Sequence, residues 1–464
     1  MVPALIISLV GQDSQAILGF ALSILVILAV AGMLMFFARK AKKGFYAREG
    51  MVCVGLAWIV MSLLGCLPFW ISREIPSYLD GLFEIVSGFT TTGASILSNV
   101  EGLSNGMLYW RSFSHWVGGM GVLVFLLAVV PVSGRNDGFT MHLLRAESPG
   151  PNVAKLVPRI RSTAGILYIL YIVLTVIDFL LLIVGKMPVL EAVCTAFGTA
   201  GTGGFGVKND SMASYSPYIQ NVCTVFMLLF GVNFSCYYLL IMKQVKSVYK
   251  DEELRLYVGM VLGSVLLIVI NLRGFYGTLE ETIRHAFFQV ASIVTTTGFA
   301  TTDFDLWPGF SKSILLCLMV VGACAGSTGG GIKVSRLLIL CKSARKELQL
   351  YLHPNAVKKI KMDDKAIPHE VVRATNMFLF VYIMIFVTSL LIISLDNLDM
   401  VSNFTAIAAT LNNIGPGLGA VGPTGNFNTY SYISKAVMIF DMLAGRLEVF
   451  PLLLLFKRDT WRKF

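Results

Sequence analysis

Hydrophobic positions along the chain fall into long and short runs that alternate in a fixed rhythm. The first long run, Gln15–Phe37, ends at the basic stretch Arg39-Lys-Ala-Lys-Lys43. One unit then recurs four times: a long apolar span, a short apolar segment, a glycine-centred loop and a second long span. The first unit is Gly50–Ile71, Tyr78–Phe89, the Gly93 loop and Tyr109–Val130. The second is Thr163–Val184, Pro188–Phe197, the Gly203 loop and Tyr218–Met242. The third is Leu256–Leu272, Leu279–Val294, the Gly298 loop and Ser313–Cys341. The fourth is Ala374–Leu395, Val401–Leu411, the Gly415 loop and Tyr430–Phe456. A long run suffices to cross a ~30 Å hydrocarbon core, whereas a segment of about 11 residues rises roughly 16 Å as a helix and ends halfway. The pattern therefore predicts spans alternating with re-entrant half-helices.

The loops repeat one another in wording as well as in place. Phe89-Thr-Thr-Thr-Gly-Ala-Ser95 and Ile293-Val-Thr-Thr-Thr-Gly-Phe-Ala300 nearly coincide, and Ala200-Gly-Thr-Gly-Gly-Phe205 and Asn412-Asn-Ile-Gly-Pro-Gly417 follow more loosely. Gly93, Gly203, Gly298 and Gly415 are 110, 95 and 117 residues apart. A period near one hundred, with the same hydrophobic layout in each unit, is an internal repeat. The expected organisation is an N-terminal stub and extra helix over 1–48, then repeats over 49–160, 161–255, 256–369 and 370–464.

Composition narrows the class. The chain is 56% hydrophobic and 14% charged, against roughly 25% charged in soluble domains, and its mean hydropathy is +0.74. Such a chain is a polytopic membrane protein. Its net charge of +10 invites a nucleic-acid reading that the distribution removes. Of 37 Lys and Arg, 26 lie in the clusters Arg39–Arg48, Arg135–Arg161, Lys243–Arg255, Lys342–Arg373 and Lys457–Lys463, each beside a long span, as cytoplasmic loops require. One span plus four pairs makes nine crossings. The basic C-terminus then lies inside, the N-terminus, free of Lys and Arg through Gln15, lies outside, and every half-helix enters from outside.

Acidic residues near the half-helix starts (Asp80, Glu191, Glu280, Glu281 and Asp399) suit the positive end of the helix dipole. The negative ends then converge on the glycine loops, a field that favours a cation. Irregular backbone at that depth must line a cavity or be buried in protein, and a ring of its carbonyls holds a dehydrated monovalent ion.

Other chemistry finds no support. Eight cysteines lie scattered without CxxC pairing, and His115 and His285 read as structural. Gly326-Ser-Thr-Gly-Gly-Gly-Ile-Lys333 imitates a phosphate loop, but no Ser or Thr follows Lys333 and no strand precedes it. Gly417-Leu-Gly-Ala-Val-Gly422 matches GxGxxG only inside a re-entrant loop. Asp178 and Asp441, the carboxylates that stand out within spans, lie in different repeats without a histidine nearby, so no enzyme is expected and no cofactor is called for. Five glycines between Gly322 and Gly331 are too many for a straight helix at ~1 kcal/mol each. They predict a flexible intramembrane loop, with Gly326, Gly329, Gly330, Gly331 and Lys333 as gate residues. The alternative is close helix packing through small residues. Arg446, a charge inside a long span, faces either the pore or a salt-bridge partner such as Glu448 or Asp441.

Seven stretches carry a resemblance. They are Ser87-Gly-Phe-Thr-Thr-Thr-Gly-Ala94, His115-Trp-Val-Gly-Gly-Met-Gly121, Arg145-Ala-Glu-Ser-Pro-Gly-Pro151, Thr202-Gly-Gly-Phe205, Gly322-Ala-Cys-Ala-Gly-Ser-Thr-Gly-Gly-Gly-Ile-Lys333, Thr410-Leu-Asn-Asn-Ile-Gly-Pro-Gly-Leu-Gly419 and Gly445-Arg-Leu-Glu448. In this order the chain resembles the TrkH branch of the Trk/Ktr/HKT potassium transporters over nearly its whole length. The resemblance implies an all-α protein with four span/pore-loop/span repeats in pseudo-fourfold arrangement around one pore, in the bacterial cytoplasmic membrane. It implies a homodimer, potassium as the transported ion, and a cytosolic RCK-type regulatory subunit that alone binds nucleotide. It carries ion-contacting roles to Thr91, Thr92, Gly93, Gly201, Thr202, Gly203, Thr296, Thr297, Gly298, Asn413, Ile414 and Gly415. Symport coupled to H⁺ or Na⁺, or a less selective Na⁺/K⁺ pore, is the alternative. The chain departs from the family in having one full helix, not two, before the first repeat, and in lacking a Thr beside the glycine of its fourth loop. The segments Arg145–Pro151 and Lys342–Lys365 are expected to form the docking face for the cytosolic ring.

Overall fold

The computed structural model describes residues 1–39, 47–121, 160–355 and 359–461. It is helical throughout, apart from a small antiparallel hairpin pairing Lys361 with Ala366. Among the described residues, five helical stretches are long and apolar enough to cross a membrane unbroken: Ser14–Ala38, Arg48–Ile71, Gly165–Val184, Glu252–Asn271 and His369–Asp396. These are the extra helix and the first, outer helix of each repeat. Only 17% of the most apolar window of Ser14–Ala38 and 22% of that of Glu252–Asn271 are buried in protein, so their Leu, Ile and Val side chains are left for lipid. Met1–Val10 forms a short helix, Val2–Val10, whose buried Ala4 and Ser8 pack onto the first repeat.

The half-helices run Tyr78–Phe89, Val189–Gly201, Leu279–Val294 and Met400–Asn412. Three start on a side-chain cap: Ser77 accepts from Asp80 N–H, Thr278 from Glu281 N–H and Asp399 from Ser402 N–H. Such caps satisfy amides the helix itself cannot. The second starts on Pro188, with Glu191 in its first turn. Toward their C-terminal ends all four are buried, continuously so over Phe83–Phe89 and His285–Val294 apart from Phe287. They form the centre of the molecule.

The second, inner helices were expected to be continuous spans. The structure corrects this for more than the glycine-rich third. In the second repeat Pro217–Phe230 and Phe234–Ile241 meet at 87°. In the third, Gly309–Val321 and Val334–Leu352 are separated by the loop 322–333. In the fourth, Tyr432–Arg446 and Phe450–Phe456 are separated by three residues, of which Glu448 and Val449 have φ of 54° and 69°. The first inner helix, Asn105–Gly119, ends at the border of the described residues.

Each inner helix packs against its own half-helix and against that of the next repeat. Asn105–Gly119 meets Val189–Gly201, Pro217–Phe230 meets Leu279–Val294, Gly309–Val321 meets Met400–Asn412, and Tyr432–Arg446 meets Tyr78–Phe89. The last contact returns to the first repeat and closes the circle.

Candidate ion-conduction site

Each half-helix ends the same way. Thr91, Thr202, Thr296 and Asn413 take left-handed φ values of 56°, 52°, 60° and 56°. The amide of the following residue then reaches back five positions: Thr92 to Ser87, Gly203 to Gly198, Thr297 to Ser292 and Ile414 to Ala409, every one at 2.8 Å. This is the Schellman ending of a helix, built four times.

That common ending fixes the register of the loops. Two residues beyond each left-handed position stand Gly93, Gly204, Gly298 and Gly415. Gly203 therefore corresponds to Thr92, Thr297 and Ile414, and the second loop's counterpart of Gly93 is Gly204, a correction to the sequence reading. The φ values agree, at 79° for Gly93, 74° for Gly204 and 87° for Gly298. Two adjacent glycines hide this register in the sequence, and the backbone conformation resolves it.

The loops touch in order around a ring. A Cβ on Gly93 would strike the Gly203 carbonyl, and one on Gly204 the Thr297 carbonyl. A Cβ on Gly298 would lie 2.9 Å from Gly415 N, and one on Gly415 2.9 Å from Gly93 O. Gly93, Gly204, Gly298 and Gly415 together line one open cavity of about 180 Å³. Among the described residues its rim also includes Arg111, whose guanidinium lies 2.5 Å from the Glu84 carboxylate, donates to Gly206 O at 2.9 Å and sits 3.6 Å from the centre of the Phe205 ring. Breaking a buried pair of this kind costs about 3–5 kcal/mol. Of the sequence-predicted ion contacts, Thr91, Thr92, Gly201, Thr202, Gly203, Thr296, Thr297, Asn413, Ile414 and Gly415 are buried at this junction, and Gly93 and Gly298 are half-buried.

Beneath the ring, the 322–333 loop is bound to several other elements. Gly330 N–H donates to Thr296 Oγ1 at 2.6 Å and Gly331 N–H to Asn412 O at 3.0 Å, both at the ring itself. Cys324 N–H reaches Gly231 O at 3.1 Å, and Phe234 N–H reaches Gly326 O at 3.1 Å, across the bend of the second repeat. Lys333, itself at φ 85°, bonds the Gly329 carbonyl. Glu253, on the third outer helix, accepts from Ala325 N–H at 2.6 Å and from Ser335 N–H at 3.1 Å, and so holds both ends of the loop. Sequence reasoning missed Glu253, whose one local sign is an acidic residue in a helix's first turn.

Arg446 joins this assembly. Its guanidinium donates to Thr328 O at 2.9 Å and to Gly118 O and Gly119 O at 2.5 and 2.8 Å. It thus links the third-repeat loop to the C-terminus of the first inner helix, where a cation is favoured by the helix dipole. Glu448, one of the two salt-bridge candidates, pairs instead with Arg336 at 2.5 Å, and Asp441 Oδ1 accepts from Ser389 Oγ at 2.8 Å.

Comparison with known proteins places this architecture. The profile of the TrkH family, described as a cation transport protein, matches residues 17–462. The Trk system potassium uptake protein TrkH of Salmonella typhimurium is 38% identical over 465 residues, covering 99% of this chain and 95% of that protein. The protein of the same name from Escherichia coli K12 is 38% identical over 470 residues, covering 100% and 96%. The crystal structure of the potassium transporter TrkH from Vibrio parahaemolyticus matches with a TM-score of 0.88 at 34% identity, over 99% of this chain and 96% of that one.

Proposed function

The chain belongs to the TrkH family of cation transport proteins, and we propose that it is the membrane subunit of a bacterial potassium uptake system. Potassium ions pass through the ring formed by the four half-helix ends. The observation that carries this reading is the convergence of Gly93, Gly204, Gly298 and Gly415 on one cavity, with four half-helix C-termini directed at it. Helix C-termini carry partial negative charge, and glycines leave the backbone carbonyls unscreened. Thr91, Thr92, Gly93, Gly201, Thr202, Gly203, Thr296, Thr297, Gly298, Asn413, Ile414 and Gly415 are the proposed filter, with Gly204 added.

Below it, Gly326, Gly329, Gly330, Gly331, Lys333 and Arg446 form the proposed gate, one part steric and one electrostatic. The passage needs no chemical energy. A potential of 100 mV is worth about 2.3 kcal/mol per charge, and about 1.4 kcal/mol is tenfold. An inside-negative membrane therefore concentrates a monovalent cation roughly fiftyfold. The cytoplasmic face built by Val334–Leu352 and the 361–366 hairpin, with Lys342 bonded to Glu252 and donating to Lys361 O at 2.7 Å, is the proposed seat of a nucleotide-binding RCK-type ring on a homodimer. The companion segment Arg145–Pro151 lies outside the described residues.

Rubidium uptake into proteoliposomes under a potassium diffusion potential tests the function. Uptake driven by the potential, with K⁺ competing better than Na⁺, is expected. Absence of uptake from correctly inserted protein rejects the pore, and uptake that requires a proton or sodium gradient replaces it with coupled symport.

A further inference from the structure

The four half-helix ends share a backbone but not the side chains that support it, and in the second repeat both flanking positions lack a side chain. In the first repeat the residues flanking the left-handed position are Thr90 and Thr92, whose hydroxyls lie 2.8 Å apart. In the third they are Thr295 and Thr297, again 2.8 Å apart. Each pair is anchored to its own helix, Thr90 to Val86 O at 2.7 Å and Thr295 to Ala291 O at 2.6 Å. In the second repeat both flanking positions are glycine, Gly201 and Gly203.

One residue occupies the vacant space, and it comes from another repeat. A Cβ on Gly201 would strike the backbone carbonyl of His115, and one on Gly203 would fall on the His115 ring. His115 stands on the first inner helix and has no exposed surface. Its ring lies 4.1 Å, centre to centre, from that of Phe205. Phe205 N–H donates to His115 Nε2 at 3.3 Å, so Nε2 carries no proton. Nδ1 therefore bears it and donates to Gly88 O at 2.8 Å. One neutral tautomer satisfies both bonds, and the imidazole ties the end of the first half-helix to the residue immediately after Gly204.

We propose that His115 is a positioning residue for ion selection. It substitutes in the second repeat for the buried threonine pair of the first and third, and it sets the second loop's place in the ring. The inference rests on the reading that the four loops line the ion path. It also gives a reason for the glycine at 203: a side chain there and an imidazole at 115 exclude one another, whereas Gly201 is required by the backbone carbonyl of residue 115.

The test measures rubidium uptake by the full-length protein in proteoliposomes, with K⁺ and Na⁺ as competitors, for wild type and five variants. Absence of wild-type uptake rejects the ion-path reading itself, and wild-type uptake without preference for K⁺ overturns a role for His115 in ion selection, before any variant is compared. Given a selective wild type, Gly203→Ser and His115→Ala should each reduce the K⁺ over Na⁺ preference by roughly tenfold. The double variant His115→Ala/Gly203→Ser should recover to within about threefold of wild type, because the serine enters the space the ring has left. His115→Asn can keep the bond to Gly88 O, and His115→Gln the one from Phe205 N–H, so both should show intermediate losses. A double variant as impaired as the product of its singles overturns the proposal, as does unchanged selectivity in either His115→Asn or His115→Gln. A merely structural histidine would lower the yield of folded protein without a second-site recovery of selectivity.

Discussion

The outer loops, which end the half-helices, and the breaks in the inner helices both interrupt helices, and they satisfy their backbone in opposite ways. Every outer loop returns an amide to its own half-helix, at 2.8 Å in all four repeats. The 322–333 loop of the third repeat binds Asn412 O, Gly231 O, Thr296 Oγ1 and the Glu253 carboxylate, two of them on other repeats. Buried polar backbone needs partners in either place. Where the partners are local, the conformation is a property of the segment and four copies can coincide. Where they are distant, the segment keeps its shape only while its neighbours stay put. The first arrangement suits a rigid coordination ring, and the second a part that moves.

The sharpest way to break this comparison is to place a side chain where the outer loops demand left-handed glycine. Gly93→Ser and Gly204→Ser each combine a left-handed cost of about 1–2 kcal/mol with a collision against a neighbouring loop's carbonyl. Competitive rubidium uptake should show the K⁺ preference reduced by roughly tenfold or more. An unchanged ratio in both would take the outer loops out of ion selection.

A smaller effect, and of opposite sign on flux, is expected at the 322–333 loop. Shortening 322–331 and Arg446→Gln should each raise basal uptake by roughly fivefold, about 1 kcal/mol. Because Arg446 holds Thr328 within that loop, the double variant should fall short of the product of the two. Full multiplicativity would mean that they do not restrict the same passage.

Glu253→Ala should raise basal uptake by roughly threefold, since it frees two amides bonded to a carboxylate, while Glu253→Gln, which keeps an acceptor, should lie between it and wild type. Equal fluxes in all three would show that the loop's ends are held by other bonds. Gly415→Ala should have the smallest effect, a selectivity change of roughly twofold. Its φ is not left-handed, and the added carbon would come no closer than 2.9 Å to another loop. A loss as large as that of Gly93→Ser would show that crowding, and not backbone handedness, dominates the ring.

Much of this was written locally along the chain. The alternation of long and short apolar runs located all four half-helices to within a few residues, because burial and length leave a direct trace in hydropathy. The Thr-Thr-Thr-Gly loops of the first and third repeats and the glycine-rich break of the third were likewise legible, since glycine marks backbone that no other residue adopts easily. The motifs that carried the family resemblance lie in the same segments.

What only the tertiary structure decided depends on residues far apart in the chain. Hydropathy reads Tyr218–Met242 and Tyr430–Phe456 as continuous spans, because a bend leaves each side chain as apolar as before. Gly203 and Gly204 are indistinguishable by type, and the left-handed Thr202 that separates their roles is a backbone state. Glu253 and His115 look ordinary in sequence, an acid in a first turn and a histidine among aromatics. Their partners, Ala325 and Ser335 for one and Gly88 and Phe205 for the other, are brought to them by packing between helices. Local pattern determines where a helix begins and ends, but a hydrogen bond across repeats exists only once the ring has closed.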